Sequence, residues 1–191
     1  MPENLKTLNE NISDISTWLS FDRTPWVIAG PCSAETEEQV ISTARALTRS
    51  AHVKVFRAGV WKPRTRPNTF EGVGEVGLEW LRAAKAETSL LTTTEVANAR
   101  HVELCLEYGV DILWIGARAT VNPFLVQEIA DVLKGVDVPV LVKNPINAEL
   151  GLWLGAIERL YSAGIKKLAA IHRGFSTYME MEYRNRPDWQ I

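Results

Sequence analysis

Along the chain, short apolar runs rich in Val, Ile and Leu alternate with longer stretches in which apolar positions recur every three to four residues. The runs are Trp26–Ala29, Val53–Phe56, Leu90–Thr93, Ile112–Ile115, Val138–Val142 and Lys167–Ile171. Most lack strict in/out alternation, the pattern of parallel strands covered on both faces. Between them the helical period predicts helices over about 35–49, 75–86, 97–108, 123–134, 149–163 and 176–184. Asn122-Pro123 supplies an N-cap with proline at the first helical position, and Gly109, Gly135 and Gly164 stand where helices should stop. Ahead of the repeat, Leu5, Leu8, Ile12, Ile15 and Leu19 share one helical face and predict an amphipathic helix over about 3–19.

Strands that alternate with helices imply an α/β chain with parallel strands. A doubly wound sheet would carry a glycine-rich phosphate loop after its first strand, but Gly30-Pro31-Cys32-Ser33 is not GxGxxG. Polar chemistry instead follows nearly every strand, which favours a (β/α)8 TIM-type barrel. The count reaches about six βα units, so the expected organisation is an N-terminal helical extension over 1–22 and an incomplete (β/α)8 barrel over 23–191. An open arc of six strands leaves two edges unpaired. Either neighbouring chains cover them or the chain is a fragment of a longer protein, and the fragment is the expectation.

Composition narrows the function. Of 191 residues 46% are apolar and 23% charged, with 21 basic and 23 acidic side chains, so neither disorder nor a bulk cationic footprint for nucleic acid or membrane is expected. No apolar run approaches a membrane span, and the first residues lack the pattern of a signal peptide. Two cysteines make no disulfide framework. A cytoplasmic protein with no nucleic-acid or membrane partner is the expectation.

The position of the charges is more telling than their number. The residues just past the strands include Arg57, Lys62, Arg64, Arg66, Arg118, Lys143 and Arg173, with Glu95 the acid at the same level. In a parallel barrel those ends converge on one mouth. Cations gathered there repel one another unless an anionic ligand neutralises them, and arginine forks suit phosphate and carboxylate oxygens. A small substrate with at least two anionic groups, such as a phosphorylated metabolite, follows. The alternative for any one arginine is solvation or pairing with a loop carboxylate.

Cys32, directly after the first strand, reads as a nucleophile, a soft metal ligand, or a small buried hydrophobe. Cys105 reads as packing, as do Trp61, Trp114 and Trp153; His52 and His101 read as helix-end or surface residues without a role. His172 stands at the mouth, where acid–base chemistry, substrate contact or a structural hydrogen bond would each fit. Glu35, Glu37 and Glu38 read as first-turn residues favoured by a helix dipole.

Val-Ile-Ala-Gly-Pro-Cys-Ser (27–33), Lys-Pro-Arg-Thr (62–65), Ile-Gly-Ala-Arg (115–118), Val-Lys-Asn (142–144) and His-Arg-Gly (172–174) occur in the order and spacing of metal-dependent DAHP (3-deoxy-D-arabino-heptulosonate 7-phosphate) synthase. Residues from about 22 onward resemble the compact class of that family, including the forms fused to chorismate mutase. The resemblance implies a (β/α)8 barrel that condenses phosphoenolpyruvate with erythrose 4-phosphate, releasing phosphate, at the entry to the shikimate pathway and aromatic amino-acid biosynthesis.

By resemblance, Arg118 and Arg173 hold the phosphate of phosphoenolpyruvate with Arg57 nearby. Lys62 and Lys143 bind its carboxylate, and Lys62 transfers the proton. Glu95 and the backbone at Ala117 line the pocket, and Arg64 and Thr65 take the phosphate of erythrose 4-phosphate. Cys32 is one ligand of a divalent metal (Mn, Fe, Zn or Co). The other three ligands come from the family's last two strands and have no match here, so the chain is expected to hold an incomplete set; His172 lies on a different strand from the family's metal-binding histidine. A homo-oligomer and a chorismate mutase domain in the parent protein are further expectations. Two other functions stay open: an aldol enzyme resembling 3-deoxy-octulosonate 8-phosphate synthase, and an inactive truncated anion-binding fragment. The former's usual Lys-Ala-Asn-Arg-Ser is replaced here by Lys-Pro-Arg-Thr.

Overall fold

The structure is a computed structural model that describes residues 11–20, 24–177, 182 and 185–190. It resolves into two compact units, one of residues 19–96 and 100–113, the other of residues 1–18, 97–99 and 114–191.

The first unit runs β1 (Val27–Ala29), α1 (Glu37–Leu47), β2 (Val53–Arg57), α2 (Val76–Thr88), β3 (Leu91–Val96), most of α3 (Ala99–Glu107) and the start of β4 (Ile112–Ile115). Strand β2 lies between β1 and β3, parallel to both. Val55 and Phe56 of β2, Val40 and Ala44 of α1, and Leu78, Leu81 and Ala84 of α2 are fully buried and form its core. Thr36 caps α1 by accepting from Gln39 N, with Glu37 and Glu38 in the first turn; Glu35 precedes the cap. At the base of β3, the Asp111 carboxylate accepts from Thr92 N (2.8 Å) and from Lys85 Nζ (2.6 Å).

The second unit holds the end of β4, α4 (Ala117–Thr120), α5 (Pro123–Val132), β5 (Val140–Lys143), α6 (Leu150–Ser162) and β6 (Leu168–Ile171). Strands β5 and β6 pair in parallel, Val140 opposite Leu168 and Lys143 opposite Ile171. Asn122 caps α5 by accepting from Phe124 N and Leu125 N, with Pro123 at the first helical position, as its sequence predicts. The glycines at the helix ends also behave as read: Gly109, Gly135 and Gly164 take φ of 70°, 75° and 97°, where a side chain would be strained. Every residue of β4 is buried, whereas two of the four in β6 are half-buried and one exposed.

Five of the six strands are followed by a helix among the described residues, so the α/β reading with parallel strands holds. Several boundaries do not. The predicted helix over 3–19 falls in part on residues 3–10, outside the described ones; over its described part, 11–19, Asp14 has extended backbone and caps a three-residue 3-10 turn, Ile15–Thr17, so the continuous helix does not hold there. An Asp side chain that captures Ser16 N competes with the continuous helix that the apolar spacing suggests. The predicted helix over 176–184 also lies mostly outside the described residues, and Phe175 instead bridges Arg186 in an antiparallel pair. Strand β3 continues through Thr94 and Glu95, whose polarity predicts a place beyond it; Arg57 and Lys143 are the last residues of β2 and β5 and not past them, and Ala117 and Arg118, just past β4, open a short helix.

Candidate active site

In the first unit the chain turns sharply after β1. Gly30 has φ of 147°, and a Cβ there would strike the Arg57 carbonyl, so only glycine lets the turn lie against β2. The turn presents the Cys32 carbonyl to two cations: Arg57 Nη2 donates to it at 3.1 Å, and Lys62 Nζ donates to it as well. The Cys32 thiol is exposed, not the buried hydrophobe that was one reading, and its Sγ lies 3.8 Å from Lys62 Nζ. Burial pulls the Lys62 ammonium below its ordinary pKa; Cys32 and Glu95 oppose the shift, while Arg57 and Arg64 add to it. Gly59 leaves room for that contact, since a Cβ there would meet Lys62 Nζ and stand 2.7 Å from the Cys32 carbonyl.

Arg64 and Thr65 sit on the exposed loop between β2 and α2. Lys62 N donates to Glu71 O (2.7 Å), Gly74 N to Val60 O (3.0 Å) and Arg64 Nε to Phe70 O (2.8 Å), so backbone bonds pin the loop's base and a side-chain bond braces its tip. Glu95 is half-buried on β3, between Thr94 and Val96, which are buried. The hydroxyls of Ser33, Thr93 and Thr94 are buried without a hydrogen-bond partner among the described residues.

In the second unit, Lys143 ends β5 with its Nζ 4.7 Å from the centre of the Trp114 ring, a cation over an aromatic face. The next residue, Asn144, is fully buried and ties two strand ends together: its Nδ2 donates to Pro145 O (2.8 Å) and Gly174 O (2.9 Å), and its Oδ1 accepts from Arg173 N (2.6 Å). Arg173 is therefore set by its backbone. Ala117 opens α4 directly after Gly116, and Arg118 beside it is exposed. Thr120 Oγ1 donates to the Lys143 carbonyl at 2.9 Å. His172 is boxed by Trp153, Phe175 and Trp189, and its Nε2 accepts from Asp188 N at 2.9 Å. That contact matches the structural hydrogen bond among its readings.

Each unit thus brings its own share together: Cys32, Arg57 and Lys62 in one, Lys143 and the Arg173 backbone around Asn144 in the other. Sequence reasoning missed the clamp at Asn144, although Val-Lys-Asn was among its motifs, and it missed Gly59. It also set aside His101, which is half-buried and stacks on Trp61 with ring centres 3.8 Å apart. Cys105 is buried packing as expected, its thiol pushed up to about 12 by burial and inert as a nucleophile.

The donor set does not by itself fit a divalent metal. Among the described residues no group of three or more His, Cys, Asp or Glu could hold one, and the polar side chain at the Cys32 thiol is a lysine. No helix among the described residues is long and apolar enough to cross a membrane.

The profile of the DAHP synthetase I family matches residues 15–188. The chain belongs to that family. A phospho-2-dehydro-3-deoxyheptonate aldolase of Thermotoga maritima is 36% identical over 162 residues, covering 85% of this chain and 46% of the relative. A 2-dehydro-3-deoxyphosphooctonate aldolase of Nitratidesulfovibrio vulgaris is 27% identical over 186 residues, covering 86% of this chain and 62% of the relative. The chain therefore spans about half the length of the first relative and under two thirds of the second.

Two solved structures are alike in fold. The crystal structure of the Thermotoga maritima DAHP synthase has a TM-score of 0.73 and 34% identity over 85% of this chain and 45% of that one. A truncated form of 3-deoxy-D-arabino-heptulosonate 7-phosphate synthase from the same organism gives 0.70 and 34%, over 85% of this chain and 56% of that one. These likenesses agree with the barrel-type class read from the strand–helix repeat, and DAHP synthase membership agrees with the five motifs.

Proposed function

We propose that the chain carries the phosphoenolpyruvate-binding part of an enzyme that condenses phosphoenolpyruvate with erythrose 4-phosphate to 3-deoxy-D-arabino-heptulosonate 7-phosphate and phosphate. The observation that carries the reading is Lys62: a half-buried ammonium, lowered in pKa by burial, beside Arg57 on the Cys32 carbonyl. A lysine whose charged form is disfavoured gains from a carboxylate ligand and gives up a proton more readily than an exposed one.

In this reading, which follows the family resemblance, Lys62 and Lys143 take the carboxylate, Arg118, Arg173 and Arg57 the phosphate, and Glu95 and the Ala117 backbone are further substrate contacts. Arg64 and Thr65 receive the phosphate of the four-carbon aldose. As the vinyl carbon of phosphoenolpyruvate attacks the aldehyde, positive character grows at the enol carbon and negative charge on the aldehyde oxygen. Lys62 would protonate that oxygen; water would then add at the enol carbon, its proton returning to the neutral lysine, and the hydroxyl of the resulting intermediate would give its proton to the departing phosphate as the ketone forms. The protein's part is orientation and charge compensation. Cys32 would supply one soft ligand to a divalent metal.

Calorimetry with phosphoenolpyruvate tests the reading. Lys62→Met and Arg118→Ala should each weaken binding by about 2–5 kcal/mol, the range for losing one partner of a buried charge-assisted contact. The double variant should lose less than the sum, because both groups act on one ligand. Phosphoenolpyruvate that fails to bind, or losses that add fully, would sink the proposal. The Nitratidesulfovibrio likeness supports a five-carbon aldose phosphate as the alternative second substrate, which turnover of the full-length protein with either sugar separates.

A further inference from the structure

We propose that His101 is a positioning residue: stacked on Trp61, it holds in register the loop that carries Lys62, Arg64 and Thr65. This rests on the assignment of that loop to substrate binding.

The loop leaves β2 and returns to α2 through a narrow base. A Cβ at Gly72 would strike the Val60 carbonyl, so the two sides of the base touch backbone to backbone there, and the Val60 side chain packs on Gly77 of α2, where a Cβ would stand 2.7 Å from its Cγ1. Above the base, residues 63–71 are exposed. A tip of that kind keeps its orientation only if the base is fixed to something outside the loop. Lys62 reaches the Cys32 carbonyl on one side, and Trp61 reaches out on another: its ring meets His101 of α3 nearly parallel, 5° from coplanar, at 3.8 Å between centres. Helix α3 follows β3, which bears Glu95, so the stack ties the Lys62 loop to the element after the Glu95 strand. Stacked aromatic pairs contribute beyond the area they bury.

Histidine suits the position for a reason of charge. Arg57, Lys62 and Arg64 already act on one another there, and a permanent cation on the Trp61 face would add to their repulsion. Burial lowers the pKa of His101 and so favours the neutral ring.

Amide hydrogen exchange and phosphoenolpyruvate calorimetry on the 191-residue chain, with His101→Ala and His101→Phe, form the test. His101→Ala should speed exchange of the Lys62 and Gly74 amides roughly tenfold and raise the phosphoenolpyruvate Kd roughly three- to tenfold, the scale of a lost aromatic pair. The β5 and β6 amides should not change, and His101→Phe, which can still stack, should restore both values. Unchanged loop exchange in His101→Ala overturns the proposal. So does faster exchange throughout the chain, or a phenylalanine variant that behaves like alanine. If the unaltered chain binds no phosphoenolpyruvate, the function fails, while the exchange arm still decides whether the stack holds the loop.

Discussion

The two units hold their cations by different devices. In the first, the charge itself is set: Arg57 and Lys62 converge on one backbone carbonyl, in a place buried enough to disfavour the ammonium. In the second, the backbone is set. A buried amide fixes the end of β5 against the residues after β6, and Lys143 rests on an indole face. A converged, desolvated charge costs stability and gains from a ligand. A clamped backbone contributes stability whether or not a ligand is present. Substitution of Lys62 should therefore read out mainly in binding, and substitution of Asn144 mainly in folding.

The sharpest contrast pairs Lys62→Met with Asn144→Ala. Beyond its binding loss, the lysine variant should unfold in urea at or above the midpoint of the unaltered chain, because it removes a poorly solvated ammonium. The asparagine variant should lose about 2–4 kcal/mol of stability, since it deletes three hydrogen bonds and strands buried backbone groups. Equal stability losses in the two would erase the distinction.

Gly59→Ala is a subtler break. The new methyl group displaces Lys62 Nζ from the Cys32 carbonyl, so phosphoenolpyruvate affinity should fall about tenfold with less than about 1.5 kcal/mol lost in folding. Urea midpoints and titrations on the same preparation separate the two effects. Lys143→Met removes a cation from an aromatic face and should cost only about 0.5–1 kcal/mol of stability, the smallest folding effect here, alongside the carboxylate contact that phosphoenolpyruvate titration would show lost.

A pH series sharpens the electrostatic side. The folded pKa of Lys62 lies below that of the unfolded chain, so between the two values the unfolded state binds more protons. The penalty is present in full below the folded pKa and is relieved as pH rises toward the ordinary lysine value. The difference in unfolding free energy between the unaltered chain and Lys62→Met should therefore move in favour of the unaltered chain with rising alkaline pH. A flat difference would mean that Lys62 carries no such penalty.

Much of this was readable from residue order, because the signals are local. Six runs, their intervening helices, the Asn122 cap and the glycine stops depend on backbone preferences within a few residues, and each recurs in the structure within a few positions. Where local signals competed, the reading slipped. Asp14 interrupts a helical stripe of leucines and isoleucines, and Thr94 and Glu95 extend a strand that polarity alone would have ended. The site was readable as residue types at strand ends and as motifs. Neither tells which way a side chain faces.

By itself, then, the sequence determined the strand–helix repeat, the family, and which cations follow which strand, since these are properties of order and spacing. Only the tertiary structure decided that Cys32 is exposed, that Lys62 is desolvated against its carbonyl, that Asn144 ties the end of β5 to the turn after β6, and that His101 lies flat on Trp61. Exposure, desolvation and stacking arise from neighbours distant in sequence, and no count along the chain contains them.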